Sequence, residues 1–308
     1  IKIDNISHCL GSEIKLISDF VPYNKVANIT KRTGIKKIYR VSKKEDLITL
    51  CYKACKKIIS KKNNHHIDGL ILLTQSPKYN IPSNSFILHK MLNLKKECFV
   101  LDVIQGCSAF PYALTVAINL MNNDLFKNCL IVTSETYTKY ISKDNRTCLP
   151  IFSDAASSIF LNKESLPKML SSFFLTDGRG AQNLCLTTKD DKQDLFMHGA
   201  NVFTFTAENV PNATNRLLER ANLKIENIKL FIFHQASSVV LDTIRDKLKI
   251  PKEKFYHDIE SFGNTVSSTI PIALIKADKE KRIPKKEPML IMGFGVGYSL
   301  SGGIFIFD

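Results

Sequence analysis

Cys107 lies in the segment DVIQGCSAFPYAL, a Gly-containing turn between a predicted strand and a predicted apolar helix. A thiol in that position meets the unpaired N–H groups and partial positive charge of a helix N-terminus, which favour the thiolate and lower its pKa. A strand–turn–helix elbow also presents its side chain at the edge of a sheet, where a nucleophile is accessible. The chemistry suggested is attack by sulfur on an electrophilic carbon. The alternative is a small buried hydrophobe, the ordinary role of a cysteine in an apolar run.

Two further segments have comparable placement. His234 ends the apolar run KLFIF and opens HQASS, which suits a hydrogen-bond donor or general base, or else a buried structural imidazole. Asn264, in SFGNTVSSTIPIAL, precedes a predicted helix. It can serve as an N-cap or as an amide donor to a carbonyl oxygen that gains negative charge. The terminal segment GFGVGYSLSGG has five glycines in eleven residues. It carries neither the GxGxxG of a dinucleotide fold nor the GK[ST] of a P-loop, so its expected role is to bring backbone N–H groups against a reacting oxyanion.

The elements that must position these residues alternate short apolar strands with amphipathic helices, an α/β pattern. The spacing predicts helices over 47–59, 86–94, 108–121, 209–221, 239–248 and 267–276. Strands are expected at 69–73, 98–104, 129–133, 228–233, 254–257, 289–292 and 303–307. Asp68 introduces a strand 39 residues before Cys107, and Asn227 introduces one 37 residues before Asn264. That spacing suggests a duplicated βα unit, joined near 163–168, with chemistry at the carboxyl ends of the strands.

Composition is that of a globular chain: 308 residues, 44% hydrophobic and 23% charged, long enough for a large core. Collagen-like repeats, intrinsic disorder and disulfide scaffolds are excluded. The formal net charge is +14, and residues 1–100 hold 19 basic and 7 acidic side chains, a net of +12. A basic face attracts polyanions or acidic proteins, although a general abundance of Lys, Asn and Ile would produce the same excess. No Lys/Arg run exceeds two residues and no zinc-finger or RNP-like motif occurs, so no nucleic-acid partner is expected. No apolar stretch is long enough for a membrane span and no signal peptide is visible, although the chain starts at Ile1 rather than Met. Eight cysteines without a CxxC pair suggest reduced thiols and a cytoplasmic protein.

Taken together, KRTGI (31–35), IDGLILLTQSP (67–77), PSNSFILHKML (82–92), DVIQGCSAF (102–110), SETYTKYISKDNRTCLPIFSDAAS (134–157), HGANVFTFTA (198–207), HQA (234–236), GNTVSSTIPIAL (263–274) and GFGVGYSLSGG resemble the ketoacyl synthase III family of the thiolase superfamily. The resemblance runs over nearly the whole chain, and the order and spacing of its Cys, His-Gln-Ala and Gly-Asn-Thr elements are jointly specific. It implies a thiolase-like α/β fold of two pseudo-symmetric βαβαβ-type halves, with mixed sheets and helices layered between and outside them. Residues 1–165 would carry the nucleophile, and 166–308 the His and Asn.

The resemblance also implies a ping-pong acyltransferase. Cys107 is acylated by an acyl-coenzyme A or acyl-carrier thioester, with His234 and Asn264 completing the triad. The backbone N–H groups of Cys107 and Val296 form the oxyanion hole. A malonyl thioester on acyl carrier protein then undergoes decarboxylative condensation, with no metal or redox cofactor. The family usually has Gly where this chain has Val296, so the loop's backbone angles are expected to differ. The family's HQAN becomes HQAS with Ser237, and Asn28 replaces the Trp that stacks on the adenine of coenzyme A.

Arg32, Arg146 and Lys247 are retained as substrate-binding positions, whereas two carrier-docking positions become Thr204 and Val239. The loop after Asp177 is short. Phe203 and Phe262 suit pocket or core, and Phe86, Ile87 and Phe110 are candidates for a homodimer interface. The activity implied is fatty-acid initiation, or a specialised glycan or secondary-metabolite pathway. A plain acyltransferase to an alcohol or amine, and a non-catalytic carrier-binding scaffold, are the alternatives. A thiolase is not expected, given the missing second Cys, nor a hydroxymethylglutaryl synthase, given the missing upstream Glu.

Overall fold

The computed structural model describes residues 5–59, 66–189 and 191–307. Two sheets form the frame. The first contains β1 (Ile6–Leu10), β4 (Gly69–Leu73), β5 (Phe99–Val103), β6 (Asn128–Glu135) and β7 (Ala155–Asn162), in the spatial order β1-β7-β6-β4-β5. β4 is parallel to β5 and β6, while β7 is antiparallel to β6 and β1. The second sheet contains β8 (Lys168–Thr176), β11 (Leu230–Phe233), β12 (Pro288–Gly295) and β13 (Ser299–Ile306), in the order β11-β12-β13-β8. β11 and β12 are parallel and the remaining pairs antiparallel. Two hairpin-like pairs complete the strands: β2 (Glu13–Leu16) with β3 (Lys37–Arg40), and β9 (Leu184–Lys189) with β10 (Lys192–Met197).

Strand periodicity explains the layering. Successive side chains of a strand point to opposite faces, so a strand buried on both faces must be apolar throughout. In β4, Ile71 and Leu73 face a central layer made by α4 (Ala109–Asn122) and α7 (Thr269–Lys279). Leu70 and Leu72 face α2 (Leu47–Ile59) and α3 (Asn84–Met91). In β11, Leu230 and Ile232 join the same central layer, while Phe231 and Phe233 face α5 (Gly199–Ala221) and α6 (Ser238–Leu248). The order is therefore helix, sheet, helix, sheet, helix. α1 (Tyr23–Thr33) lies outside it and packs against α6.

Several expectations require correction. α5 begins ten residues before the expected 209, and Pro211 lies inside it. Its first turns, GANVFTFT, are rich in Phe, Thr and Val and carry little helical propensity. The His198 ring nitrogen caps the helix by accepting from Asn201 N–H, and Phe205 stacks on Tyr298 at 4.4 Å. The strand expected over 254–257 is only an isolated bridge between Phe231 and Phe255. Residues 266–268 form a 3-10 turn before α7 rather than its first turn.

Candidate functional site

β5 delivers Cys107. Beyond Val103 the chain turns through Gly106, Ala109 N–H bonds to the Gly106 carbonyl at 2.9 Å, and α4 starts with Ser108 as its N-cap. The Gly-rich strand from the other half closes over this elbow. A Cβ on Gly293 would lie 2.4 Å from the Cys107 carbonyl oxygen, and one on Gly295 would lie 3.1 Å from Cys107 Cβ and 3.3 Å from Sγ. The glycines are thus required by close approach. Gly295 and Gly297 take φ of +153° and +130°, whereas Val296 between them has no positive φ. The left-handed geometry is carried by the flanking glycines, so Val replaces Gly without backbone strain.

β11 delivers His234. Its N–H donates to the Met292 carbonyl at 2.9 Å, which holds it against the second half of β12, one step past the Phe233–Met292 pair. The ring is 1% exposed, meets the Phe294 ring edge-on at 5.5 Å, and has Nδ1 2.6 Å from Thr269 Oγ1 at the start of α7. Burial lowers its pKa to about 3, so the imidazole is neutral.

Asn264 is held by both halves of the chain. Its N–H donates to Ile151 and its carbonyl accepts from Ser153 N–H. Its Oδ1 accepts from Val266 N–H at 2.9 Å, so the amide NH2 is the end left to donate elsewhere. Val266 itself has φ +55°, a region β-branched residues rarely occupy; strain of this kind persists where surrounding contacts over-determine the backbone.

Cys107 and His234 therefore both lie against β12, at Gly293–Gly295 and at Met292, and Asn264 is tied to His234 through Val266, whose carbonyl accepts from the Thr269 hydroxyl beside Nδ1. One expectation about them fails. Cys107 is 5% exposed, and burial, with the charge of nearby Glu135 added, pushes its thiol well above the ordinary cysteine value. Desolvation outweighs the helix N-terminus in the resting molecule.

The site also contains residues that motif reading did not reach. Glu135 ends β6, is fully buried, and accepts from Gln75 N–H (3.0 Å), Ser76 Oγ (2.8 Å), Thr74 Oγ1 (3.3 Å) and Ser267 Oγ (3.5 Å). Burial raises its pKa to about 8. A carboxylate closing the apolar run CLIVTSE was the available signal. Ser299 Oγ donates to the Val296 carbonyl at 2.6 Å and pairs with Ser108 Oγ at 2.7 Å, which ties the residue after Cys107 to the loop at Val296.

The expected substrate-binding residues lie at the surface. Asn28 and Arg32 are exposed on α1, the exposed Arg146 donates to the Phe20 carbonyl, and Lys247 Nζ donates to the Ala207 carbonyl at 3.0 Å. Thr204 and Val239 are exposed on α5 and α6. Phe203 is half-buried, as is Phe262, which lies 5.8 Å from the His8 ring and under Lys276. Phe110 is fully buried in the central layer, because α4 turns that face toward both sheets, so it cannot serve an interface between subunits. Ile87 packs against the α2 cluster, and Phe86 alone of the three is substantially exposed, at 53%. No described helix is long and apolar enough to cross a membrane.

Residues 101–178 match the family model for 3-oxoacyl-[acyl-carrier-protein] synthase III, and residues 218–306 match its C-terminal model. The β-ketoacyl-[acyl-carrier-protein] synthase III of Listeria monocytogenes is 32% identical over 272 residues, covering 87% of this chain and 86% of the relative. The chain belongs to the synthase III family. The Caldanaerobacter subterraneus member is 30% identical over 293 residues, covering 90% and 88% of the two chains. In three dimensions, a 3-oxoacyl-(acyl-carrier-protein) synthase III crystal structure superposes with a TM-score of 0.92 at 31% identity, over 99% of this chain and 98% of the other. The Burkholderia xenovorans synthase gives 0.90 at 27%, over 98% and 93%. These matches establish the thiolase-like fold of the synthase III family, the mixed sheets and layered helices seen here.

Proposed function

We propose that Cys107, His234 and Asn264 are the catalytic set of a decarboxylative condensing enzyme, built from an N-terminal half (1–165) and a C-terminal half (166–308). Membership of the synthase III family makes the chain an acyltransferase of the condensing type, acting in fatty-acid initiation. The observation that supports the assignment is the packing of Cys107 and His234 against the same strand, with Gly293 and Gly295 shaped around Cys107 and Asn264 linked to His234 through Val266 and Thr269.

In the first half-reaction Cys107 Sγ forms a bond to the carbonyl carbon of an acyl thioester, and the N–H groups of Cys107 and Val296 hold the tetrahedral oxyanion. The carbon–sulfur bond to the donor breaks, and the departing thiolate takes up the proton lost from Cys107. In the second, the carboxylate carbon of a malonyl thioester leaves as carbon dioxide, and its electron pair passes into an enolate. The enolate oxygen accepts hydrogen bonds from the neutral His234 at Nε2 and from the Asn264 amide. The α-carbon then attacks the acyl-cysteine, and the thiolate of Cys107 is released with a β-ketoacyl thioester. No step calls for a metal or a redox cofactor.

The donor is a coenzyme A or carrier thioester, and the extender is malonyl-acyl carrier protein. The exposed Arg32 and Arg146 and the basic N-terminal third suit the phosphates and acidic surface of those substrates. Exposed Phe86 near the edge strand β5 suits a homodimer, and the free cysteines suit the cytoplasm. Mass spectrometry after incubation with acyl-coenzyme A tests the first step: an acyl adduct is expected on Cys107 and absent from Cys107→Ala. Carbon dioxide release and a β-keto product after adding malonyl-carrier protein test the second. An adduct that ignores malonyl-carrier protein and passes instead to an amine or alcohol overturns condensation.

A further inference from the structure

We propose that one ordered water occupies a small cavity between the segment after His234 and the segment around Asn264, and that Thr265 is the positioning residue that holds it. The water ties the support of the imidazole to the support of the amide. The proposal rests on the reading of His234 and Asn264 as the pair that stabilises the enolate.

The cavity has a volume of about 10 Å³, and its lining includes Gln235, Asp258, Gly263, Thr265 and Thr269. That is room for a single water. Its walls come from both supports. Gln235 follows His234 in the chain and is fixed by three bonds: Nε2 donates to the Phe233 carbonyl at 2.8 Å and to the Tyr256 carbonyl at 3.4 Å, and Oε1 accepts from Asp258 N–H at 2.8 Å. Thr269 Oγ1 lies 2.6 Å from His234 Nδ1. Thr265 stands between Asn264 and Val266, whose N–H holds Asn264 Oδ1 at 2.9 Å.

Thr265 is the group that calls for a ligand. It is 1% exposed, and its hydroxyl has no hydrogen-bond partner among the described residues. A buried hydroxyl in that state is costly, and a water removes the cost where the site is polar and roomy enough to hold it. The other lining groups offer acceptors for the water's own protons: the second lone pair of Gln235 Oε1, the Thr269 oxygen and the Asp258 carboxylate. A cation suits the cavity less well, because the Lys276 ammonium, 2.5 Å from Asp258 Oδ2, already balances that charge. The imidazole and the amide must point at one enolate oxygen, so a link between their supports matters to decarboxylation. Acylation of Cys107 uses the backbone donors instead.

Two measurements on the full chain test the proposal. A crystal structure is expected to show a water within hydrogen-bond distance of Thr265 Oγ1 and of Gln235, Thr269 or Asp258. A dry cavity, or a protein group bonded to the Thr265 hydroxyl, overturns the proposal. Thr265→Val keeps the shape and removes the hydroxyl. It is expected to lower the melting temperature by roughly 1–5 °C, because a satisfied bond is lost. It should slow carbon dioxide release from malonyl-carrier protein by the pre-acylated enzyme about 5- to 30-fold, and acyl-Cys107 formation less than about 3-fold. Thr265→Ser should restore most of the rate, and Thr265→Ala replaces the Val variant if that does not fold. An unchanged or raised melting temperature, as loss of an unpartnered hydroxyl would give, or equal losses in both half-reactions, overturns the proposal. A wild type that forms the acyl adduct but releases no carbon dioxide overturns the reading of His234 and Asn264 instead, and the crystal structure still decides the water.

Discussion

Thr269→Val separates the two half-reactions. His234 is neutral and buried, and a neutral imidazole offers one N–H and one lone pair. Stabilising an enolate from Nε2 requires the proton on that nitrogen, so Nδ1 must be the acceptor, a role that the Thr269 hydroxyl 2.6 Å away supports when its proton points to the ring. The same hydroxyl lies 3.1 Å from the Val266 carbonyl, which competes for its single proton. Val keeps the shape of Thr and removes the donor. A buried nitrogen left without a partner costs about 1–3 kcal/mol, and if that loss falls on the enolate-forming step the rate drops about 5- to 150-fold. Acylation of Cys107, which relies on the backbone donors, should change less than about 3-fold. The assay compares the rate of the acyl-Cys107 adduct with the rate of carbon dioxide release from malonyl-carrier protein by the pre-acylated enzyme. Equal losses in both steps, or none in either with the fold retained, would refute the reasoning that Thr269 sets the His234 tautomer.

Glu135→Gln tests the buried carboxyl through stability. Its folded pKa is raised from 4.5 to about 8, so the folded state keeps a proton that the unfolded chain loses. The resulting stability is complete below about pH 4.5 and is lost as pH rises through about 8, on the order of 4 kcal/mol in all. Asp154, raised to about 6, adds a slope of the same sign at lower pH, while His234 and His8, lowered to about 3 and about 4, act oppositely below pH 6.5. Thermal unfolding from pH 5 to 9 should show a decline toward alkaline pH in the wild type and a flatter one in Glu135→Gln; the same slope in both contradicts the assignment. Ser299→Ala removes the hydroxyl that joins Ser108 to the Val296 carbonyl. It should lower the melting temperature by roughly 2–8 °C and, unlike Thr269→Val, slow both half-reactions together by about 10-fold. Slowing of condensation alone would show that the hydroxyl link does not position the oxyanion donors.

Much of the layered fold was legible because strands buried on both faces announce themselves. GLILL, CLIVT, LFIF and MLIM are largely apolar runs, and each forms a strand buried on both faces. β1, β2, β3 and β8 escaped notice because they are half-exposed and polar, and their partners are distant in sequence. The first ten residues of α5 were missed because propensity opposed the helix there, and tertiary stacking of Phe205 on Tyr298 supported it. Of the dimer candidates, Phe110 has the composition of an interface residue, and only its place between two sheets makes it core.

For the site, residue type and placement marked Cys107, His234 and Asn264 as candidates, since a thiol, an imidazole and an amide at strand or helix ends are local features, and the family resemblance grouped them as one set. Their setting is not local. The high pKa of Cys107 arises from burial and from Glu135, 28 residues on, and His234 Nδ1 meets the hydroxyl of Thr269, 35 residues on. The five-glycine segment was expected to present backbone N–H groups to an oxyanion; the structure sets it against Cys107, and the requirement for Gly at 293 and 295 comes from that contact, far away in the chain. Sequence determined which groups could react, because chemistry belongs to side chains and their immediate backbone. Tertiary structure alone decided their protonation and the room around them, because desolvation, partner charge and steric closure are set by residues that meet only after folding.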